Sequence, residues 1–336
     1  MELPNPTPVL DLIHAFRRSK TMFTAVSMGI FDRLGLSSSD SATLAEEMRA
    51  NPDALERLLD ACVGLALLEK HGAHYSNSPV GKTYLTRSSP HTLTGYILYS
   101  DRALYALWGN LEAAIREGTN RWEQTFGGEK PIFEHFLRSE EAQEDFLGGM
   151  NGMGMLSSPA VVAAFDLARF RRIVDLGGGT GHLAVTACQR YPQLRGTLFD
   201  MPAVMATARQ YVERSPVRDR IELIAGDFFT DPLPESDLYA LGRILHDWSE
   251  PKIRTLLAKV WQSLPPGGAL LVAEKLLNDE KSGPPSATLQ SLSMLVCTEG
   301  KERTLAEYTA LLREAGFTSI EARVTNSPLD AILATK

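Results

Sequence analysis

The stretch Val174-Asp175-Leu176-Gly177-Gly178-Gly179-Thr180-Gly181 constrains the fold more than any other part of this chain. It follows Arg171-Arg172-Ile173 and precedes an amphipathic run from His182 to Tyr191. That succession predicts a buried strand, a glycine turn and a helix start. Glycine allows a backbone to approach a ligand closely. Twenty-three residues after Gly177, Asp200 closes a second apolar run, Gly196-Thr197-Leu198-Phe199. A carboxylate at the end of a neighbouring strand can accept hydrogen bonds from ribose hydroxyls. Together the turn and the acid describe a nucleoside pocket, although a glycine turn alone also serves purely structural ends. The dinucleotide fingerprint needs a third glycine where this chain has His182.

From Phe170 onward, strand-like and helix-like runs alternate, which predicts a parallel sheet. The strands fall at Arg172–Leu176, Gly196–Phe199, Ile221–Ala225, Leu238–Ile244 and Ala269–Glu274. Two further runs, Ser319–Val324 and Asp330–Thr335, predict a terminal β-hairpin around Ser327-Pro328. The expected class is therefore α/β, with a Rossmann-like C-terminal domain over residues 166–336.

The first third has another pattern. An amphipathic helix is expected from Leu10 through Met28, a short one from Ser41, and a third opened by Asn51 as cap and Pro52 at the first helical position. Gly72 to Tyr75 looks like the tip of a hairpin. Helices followed by a hairpin make a mainly α, winged-helix module over residues 1–100, with helical segments over 101–165 joining it to the sheet. Met22, Phe23, Val26 and Ile30 are too apolar for a solvent-facing arm and suggest a homodimer interface. Winged helices often bind DNA. Here the Asn51-capped helix carries Asp53, Glu56, Arg57 and Asp60, and the chain has a net charge of −7, whereas DNA affinity rests on Lys and Arg. No nucleic-acid partner is expected. The apolar runs, such as Ala61 to Leu68, are too short to span a bilayer, so no membrane partner is expected either. Three widely separated cysteines make neither a disulfide framework nor a metal site. Met1 to Asp11, acidic and proline-rich, is unlike a signal peptide. A cytoplasmic location follows as an expectation.

Ligands in open α/β sheets sit beyond the carboxyl ends of the strands. Along that edge the sequence places the glycine turn, then Asp200-Met201-Pro202, Gly226-Asp227-Phe228-Phe229, Arg243-Ile244-Leu245-His246-Asp247-Trp248, and Glu274-Lys275. Asp227 can accept from an adenine amino group, with Met201 and Phe228 as apolar faces for its ring. His246, Asp247 and Glu274 then share the opposite side of the cleft.

These motifs, with Pro266-Gly267-Gly268 and Glu299-Gly300-Lys301-Glu302-Arg303-Thr304, resemble those of class I S-adenosylmethionine (AdoMet)-dependent O-methyltransferases of the small-molecule type, which include a hydroxyindole branch. The resemblance covers nearly the whole chain. It implies a C-terminal AdoMet-methyltransferase domain and an N-terminal winged-helix dimerisation domain. It implies AdoMet as cofactor, held by Gly177, Gly179, Asp200, Met201, Gly226, Asp227, Phe228 and Arg243, and a small aromatic hydroxyl compound as substrate. It makes His246 the general base, with Glu274 and Glu302 beside the imidazole. The residue types suit that chemistry. With a pKa near about 6.5, histidine is mostly neutral at pH 7 and can take a proton from a phenol of pKa about 10. A neighbouring carboxylate fixes the tautomer and stabilises the imidazolium.

For the acceptor side, Asp247, Met150, Met153, Ser293 and Cys297 are the candidates. Met150 and Met153 alternate with Gly148, Gly149, Gly152 and Gly154, a pattern that suits either a tightly packed core helix or an adaptable pocket wall. In the hydroxyindole branch, amide side chains occupy the positions of Ser293 and Cys297, four apart on one helix face. Serine keeps part of an amide's hydrogen-bonding ability and cysteine little. The remaining histidines form no ligand spacing, no metal is expected, and His182 at its helix start is expected to face solvent. Two other readings stay open: a different AdoMet-linked reaction on the same scaffold (C-methylation, hydroxylation or decarboxylation), and a non-catalytic winged-helix binding protein.

Overall fold

The computed structural model describes residues 3–336. Met1 and Glu2, the start of the acidic N-terminal stretch, lie outside the described residues. The chain divides into two compact units, one ending at Arg102 and the other running from Ala103 to Lys336.

The first unit begins with the helices Thr7–Ser27 and Ile30–Leu34. Strand β1 (Ser38–Asp40), the helices Ser41–Met48 and Pro52–Gly64, and a hairpin of β2 (Leu68–His71) and β3 (His74–Asn77) follow. The caps are those the sequence announces. Asp40 Oδ1 accepts the Thr43 N–H at 2.9 Å and Asn51 Oδ1 accepts the Ala54 N–H at 3.0 Å, satisfying amides that a helix start leaves unpaired. Strand β1 was not expected. It is three polar residues long and exists through its antiparallel pairing with β3, which gives the order β1-β3-β2.

The expected dimer-interface residues need correction. Phe23, Val26 and Ile30 are buried in the core of this unit with Phe31, Leu44, Leu55 and Leu59, and Met22 packs against it half-buried. The exposed apolar stripe lies earlier on the same helix, at Val9, Leu10, Leu12, Ile13 and Phe16.

The second unit holds a seven-stranded sheet made of β4 (Arg172–Leu176), β5 (Arg195–Asp200), β6 (Ile221–Ala225), β7 (Leu238–Gly242), β8 (Ala269–Glu274), β9 (Ser319–Arg323) and β10 (Asp330–Thr335), in the order β6-β5-β4-β7-β8-β10-β9. Strands β4 to β8 run parallel, and β10 is antiparallel to both β8 and β9, so the terminal hairpin completes one edge. Successive residues point to opposite faces of a strand. Val174, Leu241 and Val272 therefore join one core with Leu256, Leu257 and Leu311, while Ile173, Ala240 and Leu271 join another with Val161, Leu183 and Ala187. The strand order reverses between β4 and β7, which is where such sheets open a ligand crevice.

Strand β7 stops at Gly242, two residues short of the expected end. Arg243 takes a left-handed φ of 57° and its N–H bonds the Ala273 carbonyl at 3.0 Å, turning the chain out of the sheet. No helix among the described residues is long and apolar enough to cross a membrane.

Candidate active site

The turn after β4 is built by three left-handed glycines, Gly177 (φ 67°), Gly179 (58°) and Gly181 (81°). Their surroundings differ. A Cβ on Gly177 would lie 2.6 Å from Ile244 Cδ1, whereas one on Gly179 would meet nothing nearer than Leu147 Cδ2 at 4.0 Å. Gly177 is thus demanded by packing, and Gly179 leaves open space at the turn, a cradle where a ligand can approach its backbone. Asp175 sits beneath it, fully buried, where Oδ2 accepts the Ala184 N–H of the following helix at 3.2 Å. Burial pushes its carboxyl up to about 7.

Asp200 ends β5 beside this cradle. Its Oδ2 accepts the Gly179 N–H at 2.8 Å and its Oδ1 accepts the Met201 N–H at 2.7 Å. Burial raises this carboxyl to about 6, against the pull of the two amides. Each carboxylate oxygen keeps a further lone pair for a ligand. Gly226 follows β6 and packs on Phe199, whose ring a Cβ there would overlap. Asp227 is exposed, and its Oδ1 is occupied by the Phe229 N–H at 2.7 Å. Phe228 and Met201 are half-buried, and Phe228 Cε1 would stand 3.2 Å from a Cβ on Gly177. A cradle with open backbone, a carboxylate with free lone pairs and an aromatic face fit the amino acid, ribose and adenine parts of AdoMet. Arg243 stands at the end of β7 with its Nε buried and unpartnered.

His246 lies across the sheet edge, 4% exposed, in a single turn Leu245–Asp247. That turn is held by Glu274 from the end of β8, whose Oε1 accepts the N–H groups of Ile244 (3.0 Å), Leu245 (2.8 Å) and His246 (3.4 Å). Glu274 therefore caps this turn through its backbone amides. The imidazole Nδ1 lies 2.7 Å from Glu302 Oε1 and 3.3 Å from Glu274 Oε2, while Nε2 is 3.7 Å from Asp247 Oδ1. With two carboxylates on Nδ1, that nitrogen carries the hydrogen, and in the neutral ring Nε2 keeps the lone pair. Burial favours a neutral ring, but Glu274, Glu302 and Asp247 together outweigh it and push His246 up to about 10. Burial likewise raises Glu274 to about 7 and Asp247 to about 6. The expectation of a mostly neutral histidine at pH 7 is thus corrected by the second and third carboxylates.

The segment that brings Glu302 in depends on Gly300. A Cβ there would overlap the His246 carbonyl oxygen and lie 2.7 Å from the Asp247 carbonyl carbon. Backbone cannot yield as a side-chain tip can. Gly300→Ala is expected to displace the His246 turn and lower the methylation rate about tenfold, because small misplacements of reacting groups are costly. A wild-type rate in the folded variant would show that the turn tolerates the shift.

His182 does not face solvent, as its place at a helix start had suggested. It is half-buried, with Nδ1 2.9 Å from Ser158 Oγ on the long helix Glu140–Ala163. Burial, with the nearby Arg243 charge, pushes it down to about 4. A Cβ on Gly154 would collide with its ring. One turn along, Thr180 Oγ1 donates to Asn151 Oδ1 at 3.0 Å. The residues Asn151, Gly154 and Ser158, three and four apart, thus form the helix face that lies on the glycine turn. That spacing is the sequence signal for this face, and the Met and Gly alternation around it masks it. Met150 and Met153 are half-buried on the same helix. Ser293 Oγ accepts the Trp108 indole N–H at 3.1 Å. Cys297 is buried, and its carbonyl accepts the Trp122 indole N–H at 2.7 Å.

Residues 108–318 match the O-methyltransferase domain and residues 10–87 the O-methyltransferase dimerisation domain. The chain belongs to this family and is an AdoMet-dependent methyltransferase. Its relatives include the acetylserotonin O-methyltransferase of Gallus gallus, 42% identical over 342 residues and covering 100% of this chain and 99% of that one. The Bos taurus acetylserotonin O-methyltransferase is 41% identical, covering 97% of this chain and 96% of its own. The crystal structure of human N-acetylserotonin methyltransferase in complex with SAM matches with a TM-score of 0.94 at 38% identity, covering 100% of this chain and 99% of that one.

Proposed function

We propose that the protein methylates the hydroxyl of a small aromatic acceptor of the hydroxyindole or phenol class, with His246 as general base. The observation that carries this reading is the buried imidazole with Nδ1 bound at 2.7 Å to Glu302 and its turn fastened by Glu274. Bound AdoMet supplies an electrophilic methyl on sulfur. The chain's own residues do the rest. The cradle at Gly179 and the carboxylate of Asp200 hold the cofactor, and Gly226, Asp227, Phe228, Met201 and Arg243 complete its pocket. Nε2 of His246 takes the acceptor proton, and Glu302 keeps the resulting imidazolium oriented. A base raised toward the acceptor's own pKa makes that transfer nearly even in free energy, at the cost of a smaller neutral fraction at pH 7. Glu274 positions the turn, and Asp247, Met150, Met153, Ser293 and Cys297 serve the acceptor side.

The acetylserotonin relatives favour an indole acceptor. A specific observation favours one without an acylamino arm: Ser293 has one lone pair committed to Trp108, and Cys297 is a poor hydrogen-bonding partner. The test is labelled AdoMet with a panel of phenols, flavonoids and hydroxyindoles, N-acetylserotonin among them. Label is expected on oxygen, with turnover of an unsubstituted hydroxyindole equal to or above that of N-acetylserotonin. An AdoMet-binding preparation that labels carbon, or labels no hydroxyl compound, would overturn the proposal.

A further inference from the structure

Arg303 follows Glu302 directly and is 2% exposed. Its Nη1 donates to the carbonyls of Leu245 (3.2 Å) and Lys301 (3.0 Å), and its Nη2 to that of Trp248 (3.4 Å). Leu245 and Trp248 flank His246. The Arg303 carbonyl in turn accepts the Leu277 N–H at 3.0 Å, just beyond Glu274. One side chain and its own peptide therefore join the three segments that carry His246, Glu302 and Glu274.

A guanidinium stays charged at every accessible pH, and once buried it must place its donors on well-aligned acceptors. Here those acceptors are carbonyls of the His246 turn and of the Glu302 segment.

We infer that Arg303 is a positioning residue for methyl transfer, which ties the His246 turn to the Glu302 segment through its fork of hydrogen bonds. The inference rests on His246 as the base.

Single-turnover methylation by the full chain with Arg303→Met and Arg303→Lys tests this. Arg303→Met removes the fork, and its rate is expected to fall about tenfold or more, as for a misaligned base. AdoMet affinity should hold, since the cradle lies on β4 to β6. Arg303→Lys can reach one carbonyl but cannot fork across two, so it is expected to recover part of the lost rate. A wild-type rate in folded Arg303→Met, or a loss of AdoMet affinity that matches the loss of rate, overturns the positioning role. If that variant does not fold, Arg303→Lys decides: a wild-type rate overturns the role, and a reduced rate at normal AdoMet affinity supports it. A parallel His246→Gln measurement keeps the readings apart. A wild-type rate there defeats the base assignment, whereas a slow His246→Gln beside wild-type Arg303 variants defeats this inference alone.

Discussion

Replacing His246 by glutamine is expected to slow single-turnover methylation about a hundredfold or more, the usual worth of a general base, while AdoMet affinity survives. Glutamine preserves much of the volume and can still hydrogen-bond Glu302, so loss of rate cannot be charged to a collapsed turn, which Glu274 holds through backbone amides. The pH dependence carries the sign. Glu274, Glu302 and Asp247 outweigh burial and push the imidazole up to about 10, and only the deprotonated ring can accept a proton. The wild-type rate therefore climbs through the alkaline range instead of levelling off near the ordinary histidine value. In His246→Gln that limb gives way to the acceptor's own ionisation. The deficit should also shrink as the acceptor hydroxyl becomes more acidic, because an acceptor that ionises unaided needs no base. Near-normal turnover by folded His246→Gln protein would leave proximity alone as the source of catalysis.

Asp200→Ala is expected to weaken AdoMet binding about a hundredfold in calorimetry. Hydrogen bonds to a charged group contribute roughly 1.5–3 kcal/mol each, and a factor of ten in affinity corresponds to about 1.4 kcal/mol. The loss has two parts. The ligand loses its carboxylate acceptor, and the Gly179 N–H loses the bond that pins the cradle. Asp200→Asn separates them, since an amide oxygen can still accept from Gly179 or Met201 but brings no charge. Burial raises Asp200 to about 6, so wild-type affinity should also decline as pH falls through that value and the protonated acid loses an acceptor. Unchanged affinity in Asp200→Ala would move the ribose elsewhere.

Much of the parallel sheet was legible because β4, β7 and β8 are apolar on both faces and bounded by glycine or proline. Such runs have few alternatives in a chain of this length. What escaped was decided by partners distant in sequence. Strand β1 has no pattern of its own and needs β3. The end of β7 depends on a left-handed Arg243, a conformation that composition does not announce. The first long helix has two apolar stripes, and nothing in its spacing says which one the module's own core will claim. His182 shows the same limit from the other side. A polar residue at a helix start ordinarily meets water, but here a glycine 28 positions earlier admits its ring. Among the site residues, the nearness of His246 to Glu274 follows from their places at neighbouring strand ends, whereas that of Glu302 was implied only by the family resemblance. That Glu274 would also bind three amides of the His246 turn did not follow, because a carboxylate in a sequence carries no direction.

The seating of the helix Glu140–Ala163 on the glycine turn has an evolutionary consequence. Gly154 and His182 behave as a lock and its key: a side chain at position 154 has room only if position 182 shrinks, so the two sites must change together or not at all. Asn151 with Thr180 and Ser158 with His182 add polar teeth to the same lock. Any residue larger than glycine at position 154 must therefore arrive together with a smaller one at 182, so the fastening of this helix to the glycine turn resists change by single substitutions.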